Sequence, residues 1–265
     1  MNSIETMNRI TQLFQQQSQK LLNVYFTAGF PQLTDTRIIL KSLQEAGADL
    51  VEIGMPYSDP VADGETIQDS NQQALENGMS VKMLFEQLKG MREEITVPVL
   101  LMGYINPVIQ FGIEAFCQKC QEVGVDGLIL PDVPVDVYED EFKAVFEKYG
   151  VLNIFLITPQ TREERIRQID AMSEGFIYMV SSASITGAKT GISADQETYF
   201  NRISALNLNN PRLIGFGISD HQSFERASQY ANGAIIGSAF IKAIATSTDL
   251  PQTIKRFVKG IKETT

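Results

Sequence analysis

A single histidine, His221, serves all 265 residues, and its isolation excludes more chemistry than any other count. No metal site of several histidines can be assembled from it, which removes metal-dependent barrel epimerases and hydrolases as readings. A Ser-His-Asp triad would have to use His221 itself, in the run Ile218-Ser219-Asp220-His221 at an expected helix start. A surface or capping role is the simpler reading there. The two cysteines, Cys117 and Cys120, are too few for the disulfide framework of a secreted domain. They form one Cys-x-x-Cys inside an expected helix rather than at its start, so the thiolate-stabilising position is missing. No second ligand pair completes a zinc site, and helix packing is the better reading. Basic residues are outnumbered, 22 against 32, and the net charge of −10 argues against nucleic acid, whose binding rests on clustered Lys and Arg. A small phosphate is still allowed, because backbone N–H groups at a helix start can bind it whatever the global charge. No apolar run approaches the ~18 residues of a membrane span. The segment 1–19 is polar and Gln-rich, without the apolar core of a signal peptide, so a cytoplasmic chain without membrane contact is expected.

What is present is ordinary in composition and regular in order. Hydrophobic residues make up 43% and charged ones 20%, as in a soluble globule. Short apolar, β-branched runs alternate with longer amphipathic ones eight times. The strand-like runs lie at 23–28, 50–54, 97–102, 127–130, 153–157, 176–180, 212–216 and 234–236. In the helix-like run 36–45, Ile38, Ile39, Leu40 and Leu43 fall on one side. Gly47, Gly124 and Gly233 stand just before strand runs, where glycine closes a helix in the left-handed conformation. Eight βα units without a linker predict a single-domain (β/α)8 TIM barrel over 1–265, a fold that usually needs ~250 residues. An open doubly wound sheet would show a glycine-rich dinucleotide turn after strand one, and Thr27-Ala28-Gly29-Phe30-Pro31 is no such turn. The segment 1–20 is expected to form an extra N-terminal helix covering the barrel bottom.

In such a barrel, chemistry sits at the C-terminal ends of the strands and in the loops that follow. Glu52 lies in an otherwise apolar strand run, Leu50-Val51-Glu52-Ile53-Gly54, so its side chain should point into the barrel. Burying a carboxylate costs several kcal/mol unless it is paired or neutralised, and burial raises its pKa into the range of neutral-pH proton transfer. The competing reading is a buried salt bridge, yet few bases lie on the other strand runs. Asp63 follows in a Pro- and Gly-rich loop that can fold over the mouth, and a loop-capping carboxylate is the alternative there. Two glycine turns, Gly215-Phe216-Gly217-Ile218-Ser219 and Ile236-Gly237-Ser238-Ala239-Phe240, follow the last two strand runs and lead into helices. They suit phosphate binding by backbone N–H groups, with tight strand–helix packing as the alternative. The long small-residue loop 181–191 reads either as a lid or as an ordinary surface loop.

These residues together resemble the α subunit of tryptophan synthase over nearly the whole chain. The resemblance rests on Phe26-Thr27-Ala28-Gly29-Phe30-Pro31, on the run from Glu52 through Gln68, and on Asn106-Pro107. It continues through Asp132-Val133-Pro134, Thr186-Gly187, Gly215-Phe216-Gly217-Ile218-Ser219 and Ile236-Gly237-Ser238-Ala239. It implies retro-aldol cleavage of indole-3-glycerol phosphate to indole and glyceraldehyde 3-phosphate. By that resemblance Glu52 is the acid/base and Asp63 stabilises charge on the indole nitrogen. Tyr178 and Thr186 help to hold the substrate, and Gly187, Gly217, Gly237 and Ser238 form the phosphate cradle. Tyr25, Ile129, Leu156, Phe216 and Ile235 would line the slot for the indole. The resemblance further implies a pyridoxal-phosphate β subunit as partner in an α2β2 assembly, with indole passed between them and no cofactor in this chain. The segments 58–67, 106–107 and 132–134 would face that partner. Two positions depart from the family: Ser184 stands where glycine is common, and Tyr25 stands where some members have phenylalanine. Another phosphate-binding barrel, such as an indole-glycerol-phosphate synthase, would want catalytic lysines at strand ends, and the strand runs contain none. A barrel that has lost catalysis would be expected to have replaced Glu52 or Asp63, and both are present.

Overall fold

The computed structural model describes residues 7–60, 63–181, 193–215 and 217–263. Nine strands pair in parallel: β1 (Leu21–Thr27), β2 (Leu50–Gly54), β3 (Val99–Met102), β4 (Gly127–Ile129), β5 (Leu152–Asn153), β6 (Leu156–Ile157), β7 (Ile177–Val180), β8 (Arg212–Gly215) and β9 (Gly233–Ile236). Their order is β5-β4-β3-β2-β1-β9-β8-β7-β6. The two ends of that order are neighbours in sequence, separated only by Ile154 and Phe155. Ile154 N–H donates to Leu128 O at 2.9 Å, and Tyr178 N–H donates to Phe155 O at 2.9 Å. One short segment therefore bonds to β4 on one side and to β7 on the other. The sheet closes into a barrel with helices outside. The expected fifth strand is thus two short pieces, each pairing with a different neighbour.

Period-2 alternation divides the strand residues between two cores. Leu21, Leu50, Leu100, Ile129, Leu213 and Ile235 pack together inside the barrel. Leu22, Val24, Val51, Ile53, Leu101 and Leu128 face the surrounding helices. Each such side chain, fully withdrawn from water, contributes about 1.5–3 kcal/mol. Among the described residues, no helix is long and apolar enough to cross a membrane.

The helix Arg9–Gln16 lies at the N-terminal end of the strands. Asn8 caps it, accepting from Ile10 N–H at 2.9 Å, and its own amide donates to Asp126 O at 2.8 Å. Ile10 is fully buried in the interior cluster, and Phe14 stacks at 5.7 Å on Phe176. Asp126 ties this end together, pairing with Arg9 at 2.9 Å and with Arg92, and accepting from Val99 N–H at 2.8 Å. The helix is shorter than the expected 1–20, and Lys20, at a φ of 56°, turns the chain into β1. Gly47 and Gly124 close their helices in the left-handed conformation. Gly233 does not. It is the first residue of β9, and a Cβ there would lie 2.0 Å from Leu21 O, so the passing backbone of β1 excludes a side chain.

Candidate active site

Glu52 pairs in register with Tyr25 of β1 and Leu100 of β3, and its side chain is fully buried. The apolar neighbours that make β2 a strand also strip this carboxylate of water. Burial pushes its pKa from 4.5 up to about 8, and a hydrogen bond from Asn23 partly opposes the rise. Asn23 Nδ2 donates to Glu52 Oε1, while Glu52 Oε2 is buried without a hydrogen-bond partner. Among the described residues no Lys or Arg forms an ion pair with Glu52, so the salt-bridge reading fails. A carboxyl in this state holds a proton at neutral pH and can release it, as an acid/base requires.

Asp63 sits in the loop after β2, just ahead of the helix Glu65–Glu76. Its backbone N–H donates to Pro60 O at 3.2 Å, and Gln68 Nε2 donates to its carbonyl at 2.7 Å. Those two bonds hold Asp63 at the start of that helix. Asp63 as a whole is 6% exposed, and its carboxylate accepts from Tyr104 OH at 3.1 Å. Burial pushes its pKa up to about 6, with the Tyr104 bond acting against the rise. Asp63 therefore ionises about two units below Glu52, although both begin as ordinary carboxylates. Two acids with separated pKa values can take different roles.

Tyr25 and Tyr178 complete the cluster. After burial itself, the charge of Asp63 and then of Glu52 holds the Tyr25 hydroxyl above its usual range. At Tyr178 burial is again the largest cause, followed by Glu52 and then Asp63. Both carboxylates thus act on both rings. Two glycines make the arrangement possible. A Cβ on Gly54 would lie 2.1 Å from Tyr25 OH, and one on Gly215 would lie 2.3 Å from Tyr178 OH. Gly237 lies against the Tyr25 ring, where an added Cβ would be 3.4 Å from Cδ1. Tyr25 also contacts Thr27 Oγ1 at 3.4 Å, which in turn meets Ser70 Oγ at 2.7 Å.

The two glycine turns differ at the helices they introduce. The helix His221–Ala227 is capped by Asp220, and Ser223 Oγ accepts from the N–H groups of Ser219 and Asp220 at 3.1 Å each. Before it, Gly217 holds a φ of 79°. The helix Ser238–Ala245 follows Gly237 with no side-chain cap. Its first N–H groups have no acceptors within the helix, the feature that anion binding at a helix start uses. His221 follows the Asp220 cap, and its ring Nδ1 lies 2.7 Å from Ile261 O in the last turn of the helix Leu250–Lys262, in keeping with the capping role expected of it.

Ile129 and Ile235 are buried in the interior cluster that contains Tyr178, and the partly exposed Leu156 packs against it. Thr186, Gly187 and Phe216 lie outside the described residues. A cavity of about 280 Å3 opens between the 130–135 segment and the helix Glu163–Met172, sharing only Leu156 with these positions. Neither Glu52 nor Asp63 lines it. Cys117 and Cys120 are buried in the helix Ile113–Val123, and burial pushes both thiols up, Cys117 to about 12. Among the described residues no group of three His, Cys, Asp or Glu could hold a metal. Sequence reasoning missed Asn23, Tyr104 and Gly54, and it read Gly215 only as part of a phosphate-binding turn. The signal for Asn23 was available, since it is polar at the same inward parity as Tyr25. Tyr104 lies two residues past the expected third strand.

The segments expected to meet a partner are joined to this site. Tyr57 and Tyr104 stack at 5.4 Å, and Asn106 Nδ2 donates to Tyr57 OH at 3.2 Å. Asp132 accepts from Ile105 N–H at 3.1 Å with both oxygens, which steadies the helix Ile105–Phe111 next to Tyr104.

The family model described as tryptophan synthase alpha chain matches residues 11–264. The tryptophan synthase alpha chain of Flavobacterium johnsoniae is 60% identical over 241 residues, covering 91% of this chain and 95% of its own length. That of Flavobacterium psychrophilum is 55% identical over 255 residues, covering 96% of this chain and 100% of its own. The crystal structure of tryptophan synthase alpha chain from Legionella pneumophila superposes with a TM-score of 0.87 at 31% identity, covering 97% of this chain and 96% of that one. The chain belongs to the tryptophan synthase alpha chain family.

Proposed function

We propose that this chain is a carbon–carbon lyase of tryptophan biosynthesis that cleaves indole-3-glycerol phosphate to indole and D-glyceraldehyde 3-phosphate. The observation that carries the proposal is Glu52, fully buried with one carboxylate oxygen unmet, which with the buried Asp63 acts on the same two tyrosines, Tyr25 and Tyr178. Glu52 in its acid form gives a proton to the indole ring carbon that bears the glycerol chain. The ring nitrogen becomes positive, and the ionised Asp63 stabilises that charge as it develops. The Glu52 carboxylate then removes the proton of the hydroxyl next to the scissile bond. The C–C bond breaks, its electrons return to the ring, and the hydroxyl carbon leaves as the aldehyde. One group serves both transfers because its two protonation states are both accessible near neutral pH.

Tyr25, Tyr178, Ile129, Leu156, Phe216 and Ile235 would hold the planar ring in an apolar slot. Thr186 would help Tyr178 to hold the substrate, and Gly187, Gly217, Gly237 and Ser238 would hold the phosphate. The uncapped start of the helix Ser238–Ala245 supports this assignment. The whole chain, 1–265, acts as one domain in the cytoplasm, with the helix Arg9–Gln16 closing the barrel bottom. It needs no cofactor of its own. Its partner is the β subunit, which carries pyridoxal phosphate and receives indole within an α2β2 complex, docking on 58–67, 106–107 and 132–134.

The test is indole release from indole-3-glycerol phosphate by the purified chain over a long incubation, with Glu52→Gln as the blank. Indole above the blank is the expected result. Silence that persists after the cognate β subunit is added would overturn the proposal in favour of a non-catalytic subunit.

A further inference from the structure

Asn23 is a polar residue in a layer that has no structural use for one. Its side chain is fully buried, and its register partners across the sheet are Leu50 and Ile235, both apolar and buried. It spends its amide N–H on Glu52 Oε1, yet its own Oδ1 is buried with no hydrogen-bond partner. Leaving a buried polar atom unmet costs stability, and an apolar residue of the same shape would avoid that cost. A residue placed for stability alone would therefore not be an asparagine. The bond it makes has two consequences at Glu52. It fixes one carboxylate oxygen, and the other, Oε2, becomes the only oxygen with its lone pairs open.

We propose that Asn23 is a positioning residue that clamps Glu52 Oε1, so that Oε2 is the atom exchanging protons with the substrate. The inference rests on Glu52 being the proton carrier. An N–H donor also favours the ionised form, so Asn23 opposes the effect of burial. The other titratable groups around Glu52 are Tyr25 on β1, Tyr178 on β7 and Asp63 in the loop after β2. Both phenols stay neutral across the working range, and Asp63 is already ionised above about 6. Among the described residues no cation offsets the loss of the Asn23 donor.

The experiment compares wild type, Asn23→Leu and the near-isosteric Asn23→Asp. Indole release is followed against pH, and the carboxyl C=O stretch of Glu52 is titrated by infrared difference against Glu52→Gln. Removing a hydrogen bond to a charged group should move the Glu52 midpoint upward by about one pH unit in Asn23→Leu. In Asn23→Asp the shift should be larger, since a second carboxyl faces the first. We expect kcat to fall about tenfold while KM stays within about twofold, as for an interaction that matters in the transition state. An unmoved infrared midpoint in either folded variant would overturn the inference and leave the role of Glu52 standing. A parallel loss of folded protein and activity with no shift in midpoint would likewise reduce Asn23 to a packing residue. Full activity in Glu52→Gln itself would remove the reading on which the inference depends.

Discussion

Replacing Glu52 by glutamine should abolish turnover and, at the same time, make the protein more resistant to unfolding as pH rises. In the unfolded chain a glutamate ionises near 4.5, whereas burial holds Glu52 neutral up to about 8. The folded state thus binds this proton more tightly than the unfolded state. Stability from that proton is fully present below 4.5 and is lost as pH climbs through the interval to 8. At 1.36 kcal/mol per pH unit, the penalty relative to a neutral side chain is under about 1 kcal/mol at pH 5 and about 4 kcal/mol at pH 8. Glutamine keeps the volume and an acceptor for Asn23 but never ionises, so it escapes the pH-dependent part. Any fixed difference between amide and acid cancels when the two pH values are compared. The advantage of Glu52→Gln over wild type should widen by about 3 kcal/mol between pH 5 and pH 8. For a chain of this size that corresponds to roughly 6–10 °C in Tm. Urea and thermal unfolding of both proteins at four pH values would measure it. A difference that stays constant with pH would refute the claim that Glu52 is buried, unpaired and neutral.

The two carboxylates should also give a bell-shaped dependence of kcat/KM on pH. Asp63 must be ionised, so activity falls below about 6, and Glu52 must be protonated, so it falls above about 8. Tyr104→Phe removes the donor that holds Asp63 down, and the acid limb should move upward by roughly half a unit to one unit, which separates it from the titration of the substrate phosphate. Asp63→Asn should lower kcat far more than it raises KM; a change in KM alone would make Asp63 a binding residue. Gly54→Ala and Gly215→Ala should each displace a tyrosine ring, costing about 1–3 kcal/mol in stability and at least about tenfold in turnover. Asp126→Ala should cost about 3 kcal/mol by leaving Arg92 without its partner, while the folded fraction keeps its kcat.

The barrel was legible because βα alternation is written in period and composition. Eight apolar runs, each followed by a helical pattern, leave few ways to bury both faces of a parallel sheet. Glu52 was legible for the same reason, as a charge at an inward position among Leu50, Val51 and Ile53. What stayed hidden depends on contacts between residues far apart in the chain. The break in the fifth strand arises because 152–157 must bond to β4 at one end and to β7 at the other. Gly54 looks like an ordinary strand end and Gly215 like part of a phosphate turn, and the room each leaves appears only when a tyrosine from another strand lies across it. Gly233 looked like a helix terminator and is instead a strand residue crowded by β1. Tyr104 reaches Asp63 across 41 positions, a pairing that no local pattern encodes.

The most direct test of Glu52 as the proton carrier is to run the cleavage in D2O and locate the isotope in the released indole. Wild type should place one deuterium on the ring carbon from which the glycerol chain departed. Glu52→Gln, at substrate concentrations that saturate its binding, should release no labelled indole. Labelled indole from Glu52→Gln at a rate within about tenfold of wild type would contradict the assignment, since that is too small a loss for the acid and base of the reaction.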